Sequence, residues 1–180
     1  IDRVANYRNY DEEGNELKGK YAEWFEEEFK IISKRRRYNP LFDKIDIETE
    51  AHKIHDGYFA QDKKGRVKDS TGNNADDESA FDKIMKNKEK LLSFAEPLRF
   101  IFSHSALKEG WDNPNVFQIC TLNETNSVMK KRQEIGRGLR ICVNQEGERV
   151  RGFDVNTLTV MANESYEDFA RALQKEIEDE

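Results

Sequence analysis

A chain of 180 residues, with 36% hydrophobic and 37% charged residues, suits one domain of ordinary size whose core is modest and shares the chain with polar excursions. The 30 Lys and Arg against 36 Asp and Glu leave a formal net charge of -6, which excludes a protein that binds polyanions with its whole surface and confines any nucleic-acid contact to a local patch. No apolar run approaches the roughly 20 residues that span a bilayer, and no signal-like segment opens the chain.

The opening IDRVANYRNY carries no methionine, so a piece of a longer protein is expected. YAEWFEEEFKIISKRRRY places Tyr21, Trp24, Phe25, Phe29 and Ile32 at helical spacing, with acids early and bases late as the helix dipole favours. Its basic end, SKRRRY at 33 to 38, has two readings: phosphate contacts, or the ordinary enrichment of cations at a helix C-terminus. His52 and His55, with Asp56 adjacent, have a spacing that in principle binds a metal, although packing or surface histidines are the commoner outcome. DGYFAQDKKGRVKDS reads as a hairpin around DKKG. STGNNADDES reads as a mobile loop, and its DDES at 76 to 79 lacks the apolar strand that an acidic nucleotide-site box needs. AFDKIMKNKEKLLSF resumes helical spacing until Pro97. LRFIFSH, VFQICTL and NTLTVMA are short apolar runs expected as buried parallel strands. In NESYEDFARALQKEIEDE, Ser165 is expected to cap a final amphipathic helix. Strands alternating with helices give an α/β sheet. Cys120 and Cys142 sit in apolar runs without metal-like spacing, as buried thiols of a reducing cytoplasm would.

QEIGRGLR, residues 133 to 140, is the stretch that ordinary helix stability does not account for. Each glycine costs roughly 1 kcal/mol relative to alanine inside a helix. A helix over 127 to 140 would turn Val128, Ile135 and Leu139 toward the sheet and line up Gln133, Arg137 and Arg140 on roughly the opposite face. Gly136 and Gly138 beside that line would let a ligand or another backbone approach. Two planar guanidiniums match phosphate oxygens well, whereas a solvated helix face with incidental arginines is the plain alternative. Upstream, FIFSHSALKEGWDNPNV runs from an apolar strand into a loop holding Gly110, Trp111, Asp112 and Pro114, the kind of position where open α/β sheets bind ligands.

The loop resembles motif V, and QEIGRGLR resembles motif VI, of superfamily 2 helicases and translocases. FIFSHSALKEGWDNPNVFQICTLNET followed by KRQEIGRGLR is similar, more closely, to the Res subunit of type III restriction enzymes, and IDRVANYR and HDGYFAQDKKGRVKDS extend the likeness over nearly the whole chain. The resemblance implies that residues 1 to 180 belong to the second RecA-like motor domain, a mostly parallel sheet with flanking helices and an inserted excursion at about 38 to 80. It implies an ATPase acting on double-stranded DNA, a Mod methyltransferase partner, and a nuclease domain further along the chain. Arg137 and Arg140 would be the arginine fingers, and Gln133 would orient them or the attacking water. Gly110, Asp112 and Gly136 would border the nucleotide, and Ser103, His104 and Ser105 would touch the nucleic-acid backbone. Glu109 and Leu139 depart from the broad superfamily pattern but fit the restriction subgroup.

No G-x-x-x-x-G-K-[ST] occurs, so the phosphate loop is missing. ATP and Mg2+ would therefore serve the whole enzyme, with the Mg2+ ligands outside this stretch, and these residues alone are expected to be inactive. A cytoplasmic protein is expected, with the first RecA-like domain of the same chain completing the ATP site. Two alternatives stay open: a DNA-binding or Mod-docking module without catalysis, and a domain of another superfamily 2 helicase.

Overall fold

The computed structural model describes residues 1–42, 45–59, 66–67, 69, 90–104, 113–122, 127–161 and 164–179. The chain divides into two compact units, Arg3–Leu107 and Lys108–Glu180, the latter joined by Ile1–Asp2.

In the Arg3–Leu107 unit, strands β1 (Arg8–Tyr10) and β2 (Glu16–Lys18) pair antiparallel, with Arg8 opposite Lys18 and Tyr10 opposite Glu16. Helix α1 (Lys20–Ser33) starts directly after Gly19, whose N–H donates to the Tyr7 carbonyl at 2.8 Å. A Cβ at position 19 would lie 2.4 Å from the Asn6 carbonyl carbon, so only glycine lets the helix start this close to the preceding backbone. The inward line of α1 runs through Ala22, Phe25, Phe29 and Ser33. Trp24 and Ile32, expected on that face, are exposed. The expected helix is present, but its apolar face is rotated toward Ala22 and Ser33, because small side chains let the helix sit close to its neighbours.

Helix α2 (Ile47–Glu50) is capped by Asp46, whose carboxylate accepts the Glu48 N–H at 3.2 Å. Strand β3 (His55–Tyr58) pairs parallel with β4 (Phe100–Ser103), in register from His55 with Phe100 to Tyr58 with Ser103. Phe29, Ala51 and Ile54 form the core, with Phe25, Phe42 and Phe100 packed against it; the Phe25 and Phe100 rings lie 4.9 Å apart at 61°. Each such aromatic side chain contributes on the order of 2 kcal/mol through burial. The first arm of the expected DKKG hairpin is therefore a strand, which among the described residues pairs with β4. The DKKG turn, the STGNNADDES loop and most of the AFDKIMKNKEKLLSF helix lie outside the described residues.

In the unit beginning at Lys108, β5 (Gln118–Cys120) and β6 (Thr159–Met161) pair parallel. Helices α3 (Val128–Gly136) and α4 (Glu164–Asp179) touch where Arg132 meets Glu176 at 2.5 Å and the Lys131 ammonium sits 5.7 Å from the Phe169 ring centre. Val143 and Arg149 form an antiparallel bridge closed by a turn in which Asn144 Oδ1 accepts the N–H groups of Glu146 and Glu148.

The protein is thus mixed α/β, with short parallel sheets and helices, compatible with part of a RecA-like domain. Several local expectations are corrected. Helix α3 ends at Gly136 rather than 140, because the chain tightens into a turn in which the Gly138 N–H donates to the Ile135 carbonyl at 2.9 Å. Leu139, expected to dock on the sheet, is 53% exposed, since it lies beyond the helix. Ser165 lies inside α4, not before it. Gln118 and Cys120 on β5 are exposed and only Ile119 is half-buried, so this strand is not covered on both faces. Both cysteines are free, Cys142 buried and Cys120 exposed. Among the described residues no helix is long and apolar enough to cross a membrane.

Candidate functional site

The arginine segment is assembled from four short pieces of the unit beginning at Lys108. Ile135, 5% exposed, anchors the last turn of α3, while Gln133 on the same turn is exposed. The chain then leaves the helix. Arg137 is half-buried, and Arg140 is exposed. The two glycines that flank Arg137 have different roles. A Cβ at Gly138 would sit 2.3 Å from Leu158 Cδ1, so this position is glycine because Leu158 packs onto the backbone there. A Cβ at Gly136 would meet nothing within 4 Å among the described residues.

Beyond Arg140 the backbone is held by two asparagine side chains. The Asn115 amide donates to the Val143 carbonyl at 3.0 Å and accepts the Val143 N–H at 2.8 Å. Asn156 Oδ1 accepts the Cys142 N–H at 2.8 Å, while its amide nitrogen donates to the carbonyls of Val150 and Gly152, each at 2.8 Å. Asn113, buried, orders Asn115 by accepting its N–H at 2.9 Å. Arg137 and Arg140 thus lie on a segment held by Ile135 before it, by Gly138 within it, and by Asn115 and Asn156 beyond it. A guanidinium is a planar fork of donors, the shape that suits paired phosphate oxygens. The helical stripe expected from the spacing is absent, since neither arginine is in α3. The pinning asparagines were not singled out by sequence reasoning. A turn-forming NPN triplet was the available signal.

The other candidates belong to the Arg3–Leu107 unit or lie outside the described residues. Ser103 ends β4 and His104 follows it; both are half-buried, and His104 Nε2 lies 4.0 Å from Asp69 Oδ1. Ser105, Gly110 and Asp112 lie outside the described residues.

A second constellation escaped the sequence reading. Tyr7 Oη and His55 Nδ1 are 2.8 Å apart, His55 Nε2 and Glu26 Oε1 are 3.2 Å apart, and Lys18 Nζ donates to both Glu26 oxygens at 2.6 and 2.8 Å. Burial holds the His55 imidazole below its usual range, even though Glu26 favours the charged ring. Burial also raises the Glu26 carboxyl, but hydrogen bonds from Lys18 and His55 outweigh it and leave this group below its usual range. Burial, then the Asp56 charge, pushes the Tyr7 phenol well above its usual value. With both ring nitrogens engaged, His55 has no lone pair directed at a metal, so the His52–His55 metal reading finds no support. The chain of groups lines a cleft of about 470 Å³, beside Arg8, which pairs with Glu16 and Asp56 at 2.9 Å each. Its charges are satisfied internally. Contacts 48 residues apart leave no trace in local spacing.

Comparison with known proteins finds relatives of one kind. The chain is 38% identical over 154 residues, 84% of its length, to the type III restriction-modification enzyme EcoP15I Res subunit of Escherichia coli. It is equally similar to the EcoPI Res subunit of Escherichia phage P1, and 44% identical over 110 residues to the StyLTI Res subunit of Salmonella typhimurium. It spans about 15% of the length of the first two and 10% of the third. No family model and no solved structure matches. At 38% to 44% identity, these relatives support one family for this chain, that of type III restriction-modification Res subunits.

Proposed function

We propose that residues 1 to 180 are part of the second RecA-like motor domain of a Res subunit, supplying phosphate-binding arginines to an ATP site completed by a first domain of the same protein. One observation carries the reading: Arg137 and Arg140 lie on a segment whose backbone is held by Asn115 and Asn156, beside open space at Gly136. The donor set fits a triphosphate, since guanidiniums and an amide are what terminal phosphate oxygens accept from. When bound, ATP with Mg2+ supplies the phosphoryl group and a divalent charge that neutralises its oxygens. This chain's contribution is electrostatic. Arg137 and Arg140 stabilise charge that accumulates on those oxygens, and holding them rigidly removes the cost of ordering them during the reaction. Gln133 orients them or the attacking water, Gly110 and Asp112 border the nucleotide, and Ser103, His104 and Ser105 contact the backbone of double-stranded DNA.

In this reading the whole protein is a DNA-dependent ATPase of a type III restriction system, working in the cytoplasm with a Mod subunit, and residues 1 to 180 alone hydrolyse no ATP. The test is Arg137→Lys and Arg140→Lys in the full-length protein, which keep the charge and lose the planar fork. DNA-stimulated ATP turnover should fall by roughly 10³-fold or more, with the thermal midpoint nearly unchanged. Turnover that survives both changes refutes the assignment.

A further inference from the structure

The chain spends four of its 30 basic residues in unbroken succession at Lys34, Arg35, Arg36 and Arg37, directly after α1. The helix dipole accounts for the first of them. Lys34 is the C-cap, but the dipole's influence fades within the last turn, and Arg36 and Arg37 lie past it. Lys34 is also neutralised by a close ion pair with Glu48. Nothing comparable meets its neighbours: among the described residues no carboxylate pairs with Arg35, Arg36 or Arg37, and all three are exposed. Some cations elsewhere in the same unit do find acids, as Arg8 does with Glu16 and Asp56, Lys18 with Glu26, and Lys53 with Glu50.

The run is also ordered. The Arg35 N–H donates to the Ile32 carbonyl at 3.0 Å, and the N–H groups of Tyr38 and Asn39 both donate to the Arg35 carbonyl, at 2.8 and 2.9 Å. The Arg37 guanidinium lies 5.7 Å from the centre of the Tyr38 ring, which is half-buried and so steadies it. Three adjacent guanidiniums repel one another, and among the described residues none of them has an acid beside it. A polyanion relieves that repulsion and gains counterion release in doing so.

We propose that the turn Arg35–Arg37 is a contact for the phosphate backbone of duplex DNA, independent of sequence and distinct from the arginine segment at 137 to 140. The choice of duplex DNA rests on the motor reading; the charge argument does not. The test uses the full-length Res–Mod complex and a labelled duplex lacking its recognition site, with affinity measured against salt concentration. Neutralising three phosphate contacts in the Arg35→Gln, Arg36→Gln, Arg37→Gln variant should flatten the slope of log K against log salt by roughly 2 to 3, and weaken binding on the order of 10²-fold at 0.1 M salt. The corresponding triple lysine variant should keep most of the slope. An unchanged slope in the glutamine variant overturns the proposal, as does equal loss in the lysine variant. Dissociation of Mod with the slope intact overturns it in favour of a protein-docking turn. The motor reading is scored separately: ATP turnover surviving Arg137→Lys and Arg140→Lys removes the motor but leaves a flattened slope to stand, whereas loss of turnover with an unchanged slope removes only this contact.

Discussion

Two glycines two residues apart should respond to alanine with opposite signs. At Gly138 an added Cβ would lie 2.3, 2.8 and 3.0 Å from Cδ1, Cδ2 and Cγ of Leu158. Carbon atoms in contact sit at about 3.5 to 4.0 Å, so the whole isopropyl group must move by more than about an ångström. Leu158 immediately precedes β6, which is tied to β5, so the displacement is resisted by strand pairing. Overpacking of this kind costs about 1 to 3 kcal/mol. At Gly136 the same Cβ meets nothing within 4 Å, and the position ends a helix, so alanine should gain up to about 1 kcal/mol. The two variants should therefore differ by about 1 to 4 kcal/mol, a ratio of roughly 10 to 10³ in local opening. Native-state amide exchange of α3 and β6 in the full-length protein reads this directly. A Leu158→Ala background should remove most of the Gly138→Ala penalty, because the clash is pairwise. Equal effects at the two positions, or a penalty that persists without Leu158, would refute the packing account. ATP turnover that falls in Gly136→Ala despite the stability gain would show that the open space is used by a ligand.

Asn115→Ala should loosen Val143 by about 1 to 3 kcal/mol, since it leaves a half-buried N–H and carbonyl without their partners. It should also slow ATP turnover through the displaced arginines, and Asn115→Asp should not restore either property because the donor is lost; both are read by exchange and steady-state hydrolysis. The folded Arg3–Leu107 unit should weaken in acid. His55 is held below its unfolded value, so its contribution is complete above about pH 6.5 and is lost as pH falls, when the unfolded chain binds a proton that the folded one resists. Glu26, also depressed, adds to the loss further into the carboxylate range. His55→Gln should flatten the first part of this slope, by at most about 1.4 kcal/mol per pH unit, in denaturant titrations between pH 7 and 5.

What could be read from the sequence was what local periodicity and composition encode. The helix over Lys20–Ser33, the strands at Phe100, Gln118 and Thr159, and the helix over Glu164–Asp179 all follow from runs long enough for one period to dominate. Misassigned faces and ends have tertiary causes. Trp24 is large and apolar, yet α1 turns Ala22 and Ser33 inward because a helix packs more closely through small side chains. The hairpin of Arg8–Tyr10 and Glu16–Lys18 escaped notice because RNY and ELK lack an apolar run like those of VFQICTL and NTLTVMA. The Tyr7–His55–Glu26–Lys18 chain joins residues from β2, α1 and β3 and the backbone just before β1, so no window of sequence contains it.

The arginine segment shows the limit most clearly. Residues 127 to 140 read as one helix, and in a helix the spacing of 133, 137 and 140 alone would aim all three side chains to one side. Because α3 stops at Gly136, spacing no longer sets direction. The path from Gly138 to Val143 sets it instead, and that path is determined by Leu158 on one side and by Asn115 and Asn156 on the other. The backbone path at the arginines is therefore carried by neutral side chains. An alanine scan restricted to charged residues would assign the whole site to Arg137 and Arg140 and miss what aims them. Substitutions at the two asparagines are where turnover and local stability should fall together, whereas at the arginines turnover should fall alone.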